Sequence, residues 1–238
     1  MKRLVNTDWW NPSGGFFYAL LDVNRKFQGR AGVDLLYRDV AEDGFKAQSA
    51  LDTLLTNLRD EPASAVEVES HYPEILYRYG KPNAAYEEIV DLTRAGRERR
   101  EYPEVSYSTI GAIVNGLMGI NVEPAVPIED VAQGKPFEEV VKTLPQLTSS
   151  TSWVELRNLP IGNGLVTVRH DGNQKTVLTN MGKTALTWEA EFSGSYPILK
   201  VNGKRIKSHI HTCYLGLFAT SITVTVPAGN RASVEVLK

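Results

Sequence analysis

A single cysteine, Cys213, stands in a chain of 238 residues, so no intrachain disulfide can form and nothing in the composition calls for an oxidising compartment. Charge of one sign is equally scarce: 26 Lys and Arg against 28 Asp and Glu leave a formal charge of −2, which removes the basic surface a polyanion requires. Nucleic acid is therefore not expected as a partner. Long apolar runs are missing too. The stretch from Ile110 to Ile120 is interrupted by Asn115 and falls short of the ~18 to 20 residues that cross a bilayer. At the N-terminus Lys2 and Arg3 are followed only by Leu4 and Val5 before polar residues return, which is not the apolar segment of a signal peptide. The expectations are no membrane association and a cytoplasmic location. With four histidines and one cysteine, a metal centre has few ligands to draw on. His209 and His211 would share one face of a strand, but no third ligand accompanies them, and no metal is expected. Gly14, Gly15, Gly162 and Gly164 match no phosphate-binding pattern and read as turns, so no cofactor is expected either.

What is present is an ordinary globular composition, 42% hydrophobic and 23% charged, at a length that suits two modest domains. From Gly44 to Gly119 the chain reads as helices. In KAQSALDTLLTNLRD the residues Ala47, Ala50, Leu51, Leu54, Leu55 and Leu58 recur at three- and four-residue spacing, which gathers them on one stripe. YPEILYRYG and PNAAYEEIVDLTRAG each place a proline near the start and a glycine at the end. VSYSTIGAIVNGLMGI is an apolar segment with glycines interspersed, read as a buried helix. Short polar loops between these segments imply antiparallel helix pairs. Residues 122–150 carry several prolines with no sustained period and read as a linker. From Trp153 the period becomes two: LVTVR, KTVLTN, ALTWEAEF, PILKVNGKRIK, SITVTVP and ASVEVL describe an antiparallel β-sandwich, and Asn202 with Gly203 marks a hairpin. The expected organisation is a helical part over 1–121, a linker over 122–150 and a β-sandwich over 151–238.

The segments SHYPEILYRYG, RREYPEVSYSTIGAIVNGLMGI and VTVRHDGNQKTVLTN resemble the C-terminal end of six-hairpin glycosidase-like proteins, the (α/α)6-barrel carbohydrate-active enzymes that include glucoamylases, trehalases, α-L-rhamnosidases and disaccharide phosphorylases. That resemblance implies a partial (α/α)6 toroid of antiparallel helix pairs ahead of the β-sandwich, and a carbohydrate ligand. A closed barrel of this kind needs twelve helices of about 11 to 15 residues plus connections, well over 300 residues. The helical part can supply four or five, so the resemblance implies an incomplete barrel whose exposed helix faces call for a complementary helical subunit or a homo-oligomer. Two functions follow. One is hydrolysis of glycosidic bonds by carboxylate acid-base catalysis; the other is a non-catalytic carbohydrate-binding or subunit-completing module that lacks the general acid.

Glycoside hydrolysis uses two carboxyl groups, one protonated and one ionised, on either side of the scissile bond. By the resemblance, Glu104 in REYPEVSYS is the expected general base, with Glu101 as the second choice. The plainer role for Glu104 is a carboxylate in the first turn of a helix, where the dipole favours it. Arg100 in the run RAGRERREYPE is the expected sugar-side guanidinium, its alternative being a solvated ion pair. In VEVESHYPE, Glu69, His71 and Tyr72, preceded by Glu67, offer acid, imidazole and phenol in one loop. Trp9 and Trp10 suit stacking on the apolar face of a pyranose, or packing in a core, and Asp8 beside them is the weakest of the acids considered. Cys213 has no catalytic histidine signature and reads as a buried thiol.

Overall fold

The structure, a computed structural model, describes residues 2–60, 65–134 and 138–237. The chain divides into two compact units, Met1–Ala112 with Tyr214–Gly216, and Ile113–Cys213 with Leu217–Lys238.

The first unit opens with α1 (Lys2–Asp8), followed by two small antiparallel hairpins, β1 (Trp10–Asn11) with β2 (Phe16–Phe17) and β3 (Leu20–Leu21) with β4 (Phe27–Gln28). Asn11 closes the first turn by accepting the Gly14 N–H at 2.9 Å on its side chain and the Gly15 N–H at 2.8 Å on its carbonyl. Six helices follow: α2 (Val33–Tyr37), α3 (Phe45–Asp60), α4 (Val66–Glu69), α5 (Tyr72–Arg78), α6 (Pro82–Thr93) and α7 (Pro103–Gly111). The stripe read in α3 is its inner face, since Ala47, Ala50, Leu51 and Leu54 are buried. Pro73, Pro82 and Pro103 stand in the first turns of α5, α6 and α7, where a missing N–H costs nothing.

No partial (α/α)6 toroid is formed. The chain is about 32% helix and 33% strand, with its helices short and scattered. Only α3, at 16 residues, and α6, at 12, have the length a toroid helix needs, while α2 and α4 have 5 and 4 residues. Part of the reason lies in the punctuation: α5 and α7 are short segments opened by proline, and after α1 the chain up to Gln28 goes into hairpins instead of helix. The apolar glycine-rich segment does not continue as one α-helix either. It widens into a π-helix over Ala112–Leu117 and stops at Gly119, whose φ of +54° and lack of a Cβ are both required, because a Cβ there would lie 2.0 Å from the Leu144 carbonyl oxygen.

The second unit holds two sheets. Its strands are β5 (Asn121–Pro124), β6 (Glu139–Thr143), β7 (Trp153–Ile161), β8 (Gly164–Asp171), β9 (Lys175–Asn180), β10 (Leu186–Ser193), β11 (Ile198–Val201), β12 (Lys204–Lys207), β13 (His209–Thr212), β14 (Phe218–Val226) and β15 (Arg231–Val236), with one short helix, α8 (Ile128–Ala132), between β5 and β6. One sheet has the order β13-β14-β10-β6-β5 and the other β12-β11-β15-β9-β8-β7. The first is not purely antiparallel as expected: β6 runs parallel to β10, with Val141 opposite Trp188. Residues 122–150, read as a linker, thus contribute two strands; their residues 135–137 lie outside the described residues. Asn202 and Gly203, both at positive φ, turn β11 into β12.

The inner faces of both sheets share one core that includes Val141, Val168, Leu178, Trp188, Phe192 and Val234. Polar groups buried within it include the Trp188 indole and the His170 imidazole, both satisfied. The Trp188 indole N–H donates to Thr143 Oγ1 at 2.9 Å. His170, wholly buried on β8, places Nε2 2.9 Å from the Met118 carbonyl and Nδ1 2.8 Å from Thr176 Oγ1. A carbonyl only accepts, so Nε2 carries the proton and Nδ1 accepts the threonine hydroxyl. Among the described residues, no helix is long and apolar enough to cross a membrane.

Burial pushes the His170 imidazole down to about 4 from its usual 6.5. The unfolded chain therefore binds a proton that the folded chain refuses, and stability falls as pH drops from about 6.5 towards 4. Glu88, raised to about 7 by burial, works in the opposite sense over the same window. The two separate in a comparison with His170→Gln: urea denaturation should show the stability of the wild type relative to the variant shrinking by about 2 kcal/mol between pH 7 and 4.5, and a pH-independent difference would contradict the neutral buried imidazole.

Candidate functional site

Six of the residues expected to carry chemistry, Glu69, His71, Tyr72, Arg100, Glu101 and Glu104, fall on α4 to α7 and their loops. Glu69 closes α4, a single turn whose Val66 packs with Leu92 of α6 and Val105 of α7. That packing carries the carboxylate inward, where it meets the Arg97 guanidinium with its side chain only 8% exposed. Arg97 also reaches Asp91 at 3.6 Å. One step out, Glu67 pairs with Arg99 at 2.7 Å, and the Arg99 guanidinium lies 4.5 Å over the Tyr102 ring. The acids of VEVE and the arginines of RAGRERR therefore form a brace between α4 and the loop that follows α6. The Arg97 Nε is buried with no partner among the described residues.

The other expected residues have separate surroundings. The His71 ring lies 4.2 Å from that of Tyr37, and its Nδ1 is buried without a described partner. Tyr72 is buried, its phenol raised above the usual range first by that burial and then by the charge of Glu88. Arg100 donates to the Thr93 carbonyl at 3.2 Å, satisfying one of the acceptors that the end of α6 leaves open. Glu101 and Glu104 are both exposed, Glu104 in the first turn of α7. Among the described residues, no ion pair or hydrogen bond joins either of them to Glu69, His71 or Tyr72. The structure brings Glu69 to Arg97 and Tyr72 to Glu88, and leaves the expected base and its second choice in solvent.

Glu88 was not singled out from the sequence. It lies three residues after Ala85 and four before Leu92, both buried on α6, so helical spacing turns it towards the packed side, and that spacing was the available signal. Burial, then the charges of Asp91 and Glu87, raise its carboxyl to about 7. Asp91, one turn on, is paired with Arg94 at 3.0 Å. The neighbours Glu88 and Asp91 thus occupy different environments, one desolvated and one beside guanidinium groups.

Trp9 and Trp10 sit elsewhere in the same unit, in a cluster of rings built by the two N-terminal hairpins. Trp9 meets Phe27 edge-on at 5.2 Å, and Trp10 meets Phe17 at 4.9 Å and Phe45 at 5.8 Å. Tyr18 stacks on Phe27 at 5.1 Å, and its hydroxyl accepts from the Asn11 carboxamide at 3.0 Å. Phe17 is buried and anchors the cluster, whereas Phe45 is 72% exposed and Phe27 37%. Two cations lie over the rings, Lys46 5.8 Å from the Trp10 centroid and Arg30 4.6 Å from that of Phe16. Asp8, the weakest acid considered, is exposed at the end of α1.

In the second unit the His209 and His211 rings stack at 5.8 Å, and His211 Nε2 lies 3.7 Å from Glu191. Among the described residues, no group of three or more His, Cys, Asp or Glu is placed to hold a metal ion. Cys213 is half-buried, its thiol raised by desolvation and then by Glu191. In comparisons with known proteins, no family model matches the chain and no curated protein matches its sequence.

Arg97→Ala leaves the Glu69 carboxylate buried without its partner and should destabilise the first unit by about 3 kcal/mol. Glu104→Gln removes only a favourable helix-end charge and should cost under about 1 kcal/mol. Chemical denaturation of both variants checks the contrast; equal effects would mean that Glu69 and Arg97 do not form a buried brace.

Proposed function

We propose that the chain is a carbohydrate-binding module that recognises its ligand through the ring cluster around Trp9 and Trp10. The observation that carries this reading is the cluster's division of labour: Phe17 and the inner ring edges fix the rings against each other, while Phe45 and Phe27 stay open to solvent. Fixed, solvent-facing aromatic planes suit the C–H face of a pyranose, because the binding step orders little that is not already ordered. Arg30, just beyond β4 and over the Phe16 ring, supplies a hydroxyl partner near the rings. The substrate class is supplied by the resemblance to six-hairpin glycosidases, and the cytoplasm is the proposed location on the strength of the single cysteine.

This reading sets aside hydrolysis with Glu104 as general base, since among the described residues no ion pair or hydrogen bond joins its exposed position in a helix first turn to another of the expected site residues. A second reading keeps catalysis and moves it: Glu88, with its carboxyl near 7, would serve as general acid beside Asp91. A glycan array followed by calorimetry separates the two. Under the binding reading Phe45→Ala, at an exposed position, should weaken binding roughly ten-fold or more without changing the melt, and Trp10→Ala should weaken it further. Unaltered affinity in both variants, or an absence of binding to every glycan, would remove the ring cluster as the site. Under the catalytic reading the wild type should release the aglycone from an aryl glycoside, and Glu88→Gln should lower that rate at least ~100-fold; a wild type with no turnover removes Glu88 as the acid.

A further inference from the structure

Residues 192–234 contain no Asp or Glu, yet they hold Lys200, Lys204, Arg205, Lys207 and Arg231. A chain of formal charge −2 thus has one long stretch whose charge is of a single sign, and three of those cations fall on one strand, β12. β12 is an edge of the six-stranded sheet, with β11 on one side and no strand on the other. All of its residues are exposed. Among the described residues, the side chains of Lys204, Arg205 and Lys207 make no ion pair or hydrogen bond, whereas Lys200 on β11 holds Glu235 at 2.8 Å. Glu189 lines a cleft together with Lys207, but it is itself engaged by Lys142 at 3.5 Å.

The backbone of β12 is open as well. The two-residue turn at Asn202 and Gly203 closes on the pair Val201 and Lys204, so this pair exchanges hydrogen bonds, as does Leu199 with Ile206. The N–H and C=O groups of Arg205 and Lys207 then point away from β11, to the side where the sheet ends. The side chains of these two residues share the outer face of the sheet, because Leu199 and Val201, which stand opposite Ile206 and Lys204, are in the core. Open edges are ordinarily blunted, and the other edge of this sheet is: β7 carries a bulge between Leu156 and Leu159, and Pro160. β12 pairs with β11 without interruption and has neither device. Its guard is charge, and a guard of one sign is selective. A second copy of the same edge would set cations against cations, whereas an acidic strand is attracted.

We propose that the open edge of β12 binds an extended acidic segment of a partner protein, which joins the six-stranded sheet as an added antiparallel strand. The main-chain groups of Arg205 and Lys207 supply the pairing. Alternate acidic residues of the segment lie on the outer face against these two cations, and the residues between them lie on the face of Ile206, which is 44% exposed and favours an apolar neighbour. The site belongs to the second unit and does not rest on the binding-module reading. Titration of the isotope-labelled full chain, followed by amide chemical shifts, tests it with a capped peptide of alternating Glu and Val, about eight residues long to match an ordinary strand. Residues 204–208 should shift most, and a Lys and Val counterpart should bind at least ~10-fold more weakly. In an antiparallel addition the Glu residues turn their N–H groups to β12, so N-methylation of the Glu residues should weaken binding at least ~10-fold while N-methylation of the Val residues changes it less than ~3-fold. Arg205→Gln combined with Lys207→Gln should weaken the parent peptide at least ~10-fold with an unchanged melt. No shift at residues 204–208, an unaffected double variant, or equal affinity for the two methylated peptides each overturns the proposal; if in the last case a heparin oligosaccharide displaces the peptide, the cations serve a polyanion and not a strand.

Discussion

Gly119 carries no side chain where its backbone passes Leu144, and this close passage joins the end of the π-helical run to the segment that follows β6. The Leu144 N–H donates to the Gly119 carbonyl at 3.1 Å and the Gln146 N–H to that of Leu117 at 3.1 Å, so the strand β6 is continued by a segment stitched to the end of the π-helical run. Met118 and Ile120, on either side of the glycine, both enter the core between the sheets. The Met118 carbonyl is thereby fixed where His170 donates to it, and His170 in turn receives the Thr176 hydroxyl. One backbone contact, permitted only by the missing Cβ, thus determines an interior hydrogen-bond chain that links the helical exit to β8 and β9. A buried imidazole with both nitrogens engaged is far less costly than one left unsatisfied, and it fixes the register of those two strands against the chain that precedes them.

The first unit is held by a different kind of constraint. Beside buried apolar residues such as Leu51, Leu54, Ile75 and Leu76, ion pairs tie its elements together. Glu69 with Arg97 and Glu67 with Arg99 bridge segments that apolar contacts alone would leave loosely attached. Burial in the same unit leaves Tyr77 Oη, Thr109 Oγ1 and Arg97 Nε without described partners, and raises the Glu88 carboxyl.

Much of the local structure is legible in the sequence. The stripe of Ala47, Ala50, Leu51 and Leu54 is the buried side of α3, and period-two alternation places Val166, Val168 and His170 on one face of β8. Local patterns carry such information because neighbours within a turn or a strand decide them. The toroid failed for the opposite reason. It rested on the likeness of a few segments and asked for many long helices, where only α3 and α6 reach that length and the glycines of the last segment end it in a π-helix. The strand β6 was hidden in a proline-bearing stretch: its antiparallel partner β5 is a four-residue strand that itself ends in a proline, and its parallel partner β10 is distant in sequence. The expected acid-base residues were chosen by loop position, whereas Glu88 is distinguished by desolvation, which emerges only once Ala85, Ile89 and Leu92 are packed.

The parallel pairing of β6 with β10 sets the order in which the second unit can assemble. The three strands β7, β8 and β9 lie between them along the chain, and these form a continuous antiparallel meander of their own. A meander closes through short turns with little loss of chain entropy, while the parallel pair must close a long loop before any of its contacts is gained. The six-stranded sheet therefore nucleates from within, and the other sheet completes only when β6, already past in the order of synthesis, is retrieved to the side of β10. Until that retrieval the Trp188 side of β10 lacks its neighbour, and an unpaired apolar strand edge is the species through which the nascent chain is most exposed to pairing with another copy of itself.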